Sequence, residues 1–176
     1  MTHVSTPRLL RAKVVLLGAP SVGKTSLVRR FVHSVFREDY KSTIGVKVDR
    51  KSVELRDATV NLLLWDVHGE TEGLAVPASY LRASSAALMV FDASRPETAE
   101  IAGDLCRRFL SASPEALVFP IANKSDLDID WSAVDSASNA ADMARPARLS
   151  AKNGDGVETL FTALAAQLAE VDSSQS

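Results

Sequence analysis

Gly18-Ala19-Pro20-Ser21-Val22-Gly23-Lys24-Thr25 reads GxxxxGKT, and the chain on either side decides what that pattern means. Before it runs Val14-Val15-Leu16-Leu17, with the length and branching of a buried strand; after it, Leu27, Val28, Phe31 and Val32 repeat with helical spacing. Strand, glycine loop and helix in that order make a phosphate site. Between Gly18 and Gly23 the loop, Ser21 and Val22 included, can turn backbone N–H groups onto phosphate oxygens. The helix N-terminus adds unpaired donors and a favourable dipole. Lys24 supplies a point charge for terminal phosphates, and the Thr25 hydroxyl suits magnesium. The ligand implied is a nucleotide.

Composition narrows the setting. At 176 residues the chain fits one domain, with 46% hydrophobic residues and a net charge of −2. No basic stripe points to nucleic acid. Cys106 is the only cysteine, so an intramolecular disulfide is excluded and a reducing, cytoplasmic setting is expected. Met1 to Arg11 lacks the apolar region of a signal peptide, and no apolar run approaches the roughly 18 residues of a membrane helix.

The pattern along the chain alternates strands with helices. Residues 1–10 are expected to be a flexible segment, 11–171 one folded domain and 172–176 a polar end. The first strand is expected over Arg11–Leu17 and the first helix from Lys24 to about Ser34. Phe36 to Thr43 is polar and aperiodic, hence a loop. Val46 to Leu55 and Val60 to Trp65 read as an antiparallel hairpin turning near Asp57. Residues 67–79 suggest a mobile loop running into a short helix. Ala86 to Phe91 is a continuous apolar run, hence a central strand. Ile101, Leu105 and Phe109 mark a helix from about Pro96 to Leu110, on which Cys106 is expected to be a packed thiol. Ala116 to Ala122 is the next strand, with Pro120 suggesting a bulge or a locally free N–H. A weaker helix over Trp131–Asp142, a short strand over Ala147–Leu149 and a helix over Asp155–Val171 complete the set. The fold class is α/β, a parallel sheet covered on both faces with ligands at the carboxyl ends of its strands.

Two further motifs follow strand ends and choose the base. Asn123-Lys124-Ser125-Asp126 comes directly after the strand ending at Ala122. The Asp126 carboxylate can accept from both the ring N–H and the exocyclic amine of guanine; adenine offers no such pair on that edge. The stem of Lys124 can cover the base, and Asn123 can tie neighbouring loops. Ser150-Ala151-Lys152, after the last strand, can present a backbone N–H to the guanine carbonyl. Trp65-Asp66-Val67-His68-Gly69 places an Asp-x-x-Gly at another strand end, where Asp66 can hold a water on magnesium and the Gly69 N–H can sense a terminal phosphate.

With these motifs in this order, the chain resembles Ras-superfamily small GTPases, most of all the Rab branch, over almost its full length. The resemblance implies a three-layer P-loop G-domain: a six-stranded, mostly parallel sheet with one antiparallel edge strand, flanked by about five helices. It implies GTP and GDP as substrate and product, magnesium as cofactor, and effector, exchange-factor and activating proteins at two switch segments, about 36–44 and 67–80. Tyr40 to Val46 is close to the Rab switch I segment. Thr43 then becomes the switch threonine that reaches magnesium beside Thr25 and Asp66, and Tyr40 the tyrosine over the phosphates. Phe36 matches the aromatic edge-on to guanine, and Ser26 the contact to the α-phosphate. Catalysis would rest on Lys24, Thr43, Gly69 and the residue at 70. A monomer is expected.

That last position departs from the family. Relatives usually read Trp-Asp-Thr-Ala-Gly-Gln-Glu, whereas this chain reads Trp65-Asp66-Val67-His68-Gly69-Glu70-Thr71. Gln both accepts from water and donates toward the transition state; an ionised Glu only accepts and adds negative charge. Glu70 as a better base, as a poorer electrostatic partner and as a solvent-facing bystander remain open alternatives. His68 stands where alanine is usual, either as a donor to the site or as a solvent-facing loop residue. Pro20 stands where glycine or serine is common and removes an N–H. The chain ends at Ser173-Ser174-Gln175-Ser176 without prenylation cysteines, and Thr2 replaces a myristoylation glycine. No membrane anchor is therefore expected in this chain. A hydrolysis-impaired, GTP-locked binding module and a regulatory G-domain of a larger assembly stand as alternatives to a working switch.

Overall fold

The computed structural model describes residues 7–36, 45–68 and 75–175. In chain order the elements are β1 (Arg8–Leu17), α1 (Lys24–His33), β2 (Val46–Glu54), β3 (Ala58–Val67), α2 (Ala78–Leu81), β4 (Ala86–Asp92), α3 (Thr98–Ala112), β5 (Leu117–Asn123), α4 (Trp131–Ala140), β6 (Ala147–Arg148) and α5 (Val157–Gln175). The sheet order is β2-β3-β1-β4-β5-β6. Every pair is parallel except the edge hairpin β2–β3, in which Val48 faces Trp65 and Val53 faces Val60.

Strand alternation divides the core into two layers. Val14 and Leu16 of β1 join Leu27 and Phe31 of α1 and Phe161 and Leu164 of α5. Val15 and Leu17 turn the other way, toward Leu105 and Phe109 of α3 and Val134 of α4. β4, covered on both sides, is buried along its whole length, which is why its sequence is a continuous apolar run. Phe31 and Phe161 stack at 3.7 Å between ring centroids and lock α1 against α5, so the helix that opens at Gly23 is held from behind. Leu160, Leu164 and Leu168 are buried on the face of α5 that their spacing predicts.

Element ends differ from expectation where polar residues have partners that only the fold supplies. β1 begins at Arg8 instead of Arg11, because the Arg8 N–H donates to the Asp57 carbonyl at 3.1 Å and its guanidinium donates to the Ala169 carbonyl at 2.8 Å. α5 continues through the expected polar end to Gln175: Ser173 and Ser174 donate their hydroxyls to the carbonyls of Ala169 and Val171, and Asp172 pairs with Arg8 at 3.6 Å. Pro120 makes no bulge. Leu117 donates to Ser85 beside β4 and Ala122 accepts from Leu149, so by the period of two Pro120 faces away from β4, at a level where β6 has not begun. Cys106 is half-buried, and burial pushes its thiol above the usual range. Residues 37–43 of the expected polar loop and 69–74 of the loop expected over 67–79 lie outside the described residues.

Helices α3 and α4 approach at Gly103, where an added Cβ would sit 2.7 Å from the Ala141 carbonyl oxygen and 2.9 Å from its Cβ. Both atoms belong to the neighbouring helix end and have little room to move. Gly103→Val should cost about 1–3 kcal/mol and lower Tm by several degrees. Thermal denaturation checks this; an unchanged Tm would mean that the α3–α4 contact is loose.

Candidate nucleotide-binding site

The glycine loop sits between the carboxyl end of β1 and α1, and its glycines are required by contact as well as conformation. Gly18 (φ +152°) passes so close to β4 that a Cβ would lie 2.0 Å from the Val90 carbonyl oxygen. At Gly23 (φ +100°) a Cβ would lie 2.2 Å from the Asn123 side-chain nitrogen. Gly23 also N-caps α1 without a side-chain cap, which leaves the first amides of the helix for another acceptor. Lys24 Nζ donates to the carbonyls of Gly18 at 2.9 Å and Ala19 at 2.8 Å, bracing the loop. Desolvation lowers its pKa from 10.5 to about 8, with the negative field of Asp66 pulling the other way.

Thr25 Oγ1 donates to Asp66 Oδ2 at 2.5 Å, joining the start of α1 to the end of β3. Two hard oxygen donors side by side at the rim of an anion cradle fit magnesium, which takes oxygen ligands and shares them with phosphates. Pro20 is half-buried in the loop. His68, the first residue past β3, does not face open solvent: it is half-buried, its Nδ1 lies 3.1 Å from the Gly45 carbonyl oxygen at the head of β2, and its Nε2 is buried without a hydrogen bond among the described residues.

The Asn123-Lys124-Ser125-Asp126 segment leaves β5 beside this loop. Asn123 Nδ2 donates to the Val22 carbonyl at 2.9 Å, and its Oδ1 accepts from the Ala151 N–H at 3.1 Å. One buried amide thereby joins the glycine loop to the Ser150-Ala151-Lys152 turn. Lys124 adopts a left-handed φ of +69°, a conformation unusual outside glycine that concentrates at binding loops. Its Nζ donates to the Ser21 carbonyl at 3.0 Å and to Asp92 Oδ2 at 2.6 Å. Asp126 accepts from the Ser150 hydroxyl. A cavity of about 440 Å³ opens here, lined by Ser21, Gly23, Ser26, Phe36, Asn123, Lys124, Asp126, Leu127, Ala151 and Lys152. A larger cavity, about 800 Å³, lies between Leu10, Ser84, Glu115 and Leu168, and no motif residue lines it.

Four of the expected site residues, Tyr40, Thr43, Gly69 and Glu70, lie outside the described residues. Three functional supports escape the motif reading. Asp92, at the end of β4, accepts from Lys124, from Ser94 and from Arg95 at 3.0 Å. Burial alone would raise its pKa, but the hydrogen bonds from Lys124, Ser94 and Arg95 outweigh it and hold the carboxyl below its ordinary value. Arg30 of α1 donates to the carbonyls of Ala151, at 2.9 Å, and Lys152, steadying the turn from below. Leu127 contributes an apolar wall and is 47% exposed. The only signal for Asp92 in the sequence is its position at the carboxyl end of a buried strand; Arg30 and Leu127 carry none.

Lys24 also sets a pH dependence. A folded-state pKa near 8, below the unfolded value of 10.5, means that the cost of burying the charged ammonium is present below pH 8 and is relieved as pH rises toward 10.5. For nucleotide-stripped protein, the stability of the native chain relative to Lys24→Met should therefore rise across that window, as read from denaturant unfolding at fixed pH values. A flat difference would contradict the burial argument.

Comparison with known proteins places this arrangement. The model of a family described as Ras family matches residues 13–170. The Ras-related protein Rab-30 of Homo sapiens is 34% identical over 161 residues, covering 89% of this chain and 79% of that protein. The Ras-related protein RABA3 of Arabidopsis thaliana is 33% identical over 159 residues, 85% of this chain, and the match spans only 65% of that relative. The Ras-related protein Rab11E of Lotus japonicus is 36% identical over 116 residues, 65% of this chain and 53% of its own length. The chain belongs to the Ras family and is a Rab-like small GTPase.

Proposed function

We propose that the chain is a guanine-nucleotide switch that binds GTP and GDP with magnesium and hydrolyses GTP slowly. The observation that carries this reading is the Asn123 bridge, which draws the glycine loop and the Ser-Ala-Lys turn around one cavity whose rim holds the Asp126 carboxylate. In that cavity guanine lies against the Lys124 stem and Phe36 with its donor edge on Asp126, and the Ala151–Lys152 turn faces its carbonyl. Gly18, Ser21, Val22, Gly23 and Ser26 surround the phosphates, and Lys24 neutralises their charge. Magnesium, held by Thr25, Asp66 and Thr43, supplies further neutralisation of the phosphate oxygens. The described residues of the pocket contribute positioning and charge complementarity to hydrolysis.

Thr43 reaches magnesium in the GTP state, Tyr40 covers the phosphates, the Gly69 N–H senses the terminal phosphate, and Glu70 stands at the position that orients the attacking water. Phosphate contacts order segments 36–44 and 67–80, and loss of the γ-phosphate releases them. Effector, exchange-factor and activating proteins read these segments, and the chain acts as a monomer in the cytoplasm. No helix among the described residues is long and apolar enough to cross a membrane.

Single-turnover hydrolysis of preloaded GTP, native chain against Glu70→Gln, tests the switch reading. The native chain should lose GTP with a rate constant on the order of 10⁻⁴ to 10⁻³ s⁻¹, as unassisted Ras-like sites do. GTP surviving for many hours in the native chain, but not in Glu70→Gln, would replace the timer with a GTP-locked binding module.

A further inference from the structure

On the sheet face toward α2 and α3, Val15 and Trp65 are packed against those helices, but the rows farther along, at Arg11 of β1, Asn61 of β3 and Ser52 of β2, are not. On it the register aligns Arg11 of β1 with Asn61 of β3, and Asn61 with Ser52 of β2. Arg50, two residues before Ser52, emerges on the same face opposite Leu63. These side chains line a pocket of about 360 Å³.

Its chemistry is one-sided. Arg11 and Arg50 are exposed, and neither guanidinium makes an ion pair or hydrogen bond among the described residues. Ser52 Oγ donates to Asn61 Oδ1 at 2.5 Å, so the amide of Asn61 is fixed with its oxygen used and its NH2 left to donate. Donors therefore converge from three strands, and no carboxylate lines the pocket: the alternating positions of β1, β3 and β2 here are Arg11, Lys13 and Val15; Asn61, Leu63 and Trp65; Val48, Arg50 and Ser52, with Glu54 of β2 one row farther on, opposite Thr59. In a chain whose net charge is −2, that is a local excess of positive charge. Beyond the donors the surface turns apolar, with Val48 45% exposed beside Trp65, and Lys13 Nζ lies 4.2 Å from the Trp65 ring centroid.

We propose that this pocket docks an acidic segment of a partner protein, with one carboxylate between Arg11 and Arg50 and a following apolar side chain on Leu63 and Val48. Arginine forks match carboxylates in pairs, and the neighbouring apolar row suits a peptide better than a lone ion. Every residue of the pocket lies on a regular strand outside the segments assigned to nucleotide sensing. The dock is therefore open in both nucleotide states, which separates it from the effector surface of the switch and makes it independent of that reading.

The test is amide chemical-shift titration of the full chain with a synthetic peptide of repeated Glu-Glu-Leu triplets, on samples incubated with GDP, with a non-hydrolysable GTP analogue and with no nucleotide. Saturable shifts at Arg11, Arg50, Asn61 and Leu63 in all three samples are expected, weakening with salt. Charge reversal in Arg11→Glu or Arg50→Glu should reduce affinity roughly tenfold or more, while Arg145→Glu, an exposed arginine elsewhere, should leave it unchanged; spectral dispersion verifies folding of each variant. Absence of saturable shifts, retention of binding in the double variant Arg11→Glu/Arg50→Glu, or binding confined to the GTP-analogue sample would overturn the proposal. Sedimentation with phosphatidylserine vesicles without peptide binding would overturn it in favour of a membrane surface. If the chain takes up no guanine nucleotide at all, the nucleotide-free titration still decides the matter.

Discussion

The site depends on one buried amide. Asn123 donates to the glycine loop and accepts from the Ser-Ala-Lys turn, spanning segments that the chain keeps far apart. Each loop also sends apolar residues into the core, Ala19 and Val22 from one and Ala151 from the other, and the amide sets their polar backbone relative to each other. Inside the protein a hydrogen bond of this kind contributes only about 1 kcal/mol net, but leaving either partner unsatisfied costs about 1–3 kcal/mol, so the geometry is specified more strongly than its net stability suggests. The space for this amide exists because Gly23 lacks a Cβ, and Gly23 in turn opens α1 with uncapped amides. Asn123, Gly23 and the helix start form a single constraint.

A second layer of polar contacts keeps that constraint rigid. Lys124, in its left-handed conformation, is held by Asp92 from the next strand, and Asp92 is held by Ser94 and Arg95. Arg30 grips the turn from α1, and α1 is clamped by the stacking of Phe31 on Phe161. The hydrophobic core thus positions the polar site through one helix and two strand ends, the usual place for ligands in an open α/β sheet.

The sequence made the framework legible because the framework is periodic. Continuous apolar runs at Val14–Leu17 and Ala86–Phe91 have the length of strands buried on both faces, and Leu160, Leu164 and Leu168 have the spacing of a helix stripe. The antiparallel edge followed from two strands too close together for a crossover. What the sequence concealed were contacts between distant polar groups. Arg8 extends β1 because Asp57 and Ala169 offer carbonyls, and nothing local announces either. Arg30 looks like any exposed helix arginine until the turn at Ala151 folds onto it. His68 read equally well as a solvent residue, yet the ladder of β2 and β3 brings the Gly45 carbonyl to its ring. Pro120 was ambiguous for the opposite reason: one residue could not reveal how short β6 would be.

The departures from the family fall on the phosphate-sensing side, at Pro20, His68 and Glu70, while the base-reading side keeps its bonded framework. Nucleotide selectivity is therefore the central claim, and it reduces to whether the Asp126 cavity discriminates the donor edge of guanine. The most direct measurement is competition between GDP and ADP for the nucleotide-stripped chain in the presence of magnesium. A site built to pair two base donors should favour GDP by roughly 10⁴-fold or more, since a buried acceptor left unpaired is heavily penalised. Comparable affinity for ADP and GDP, or binding of neither, would contradict the account.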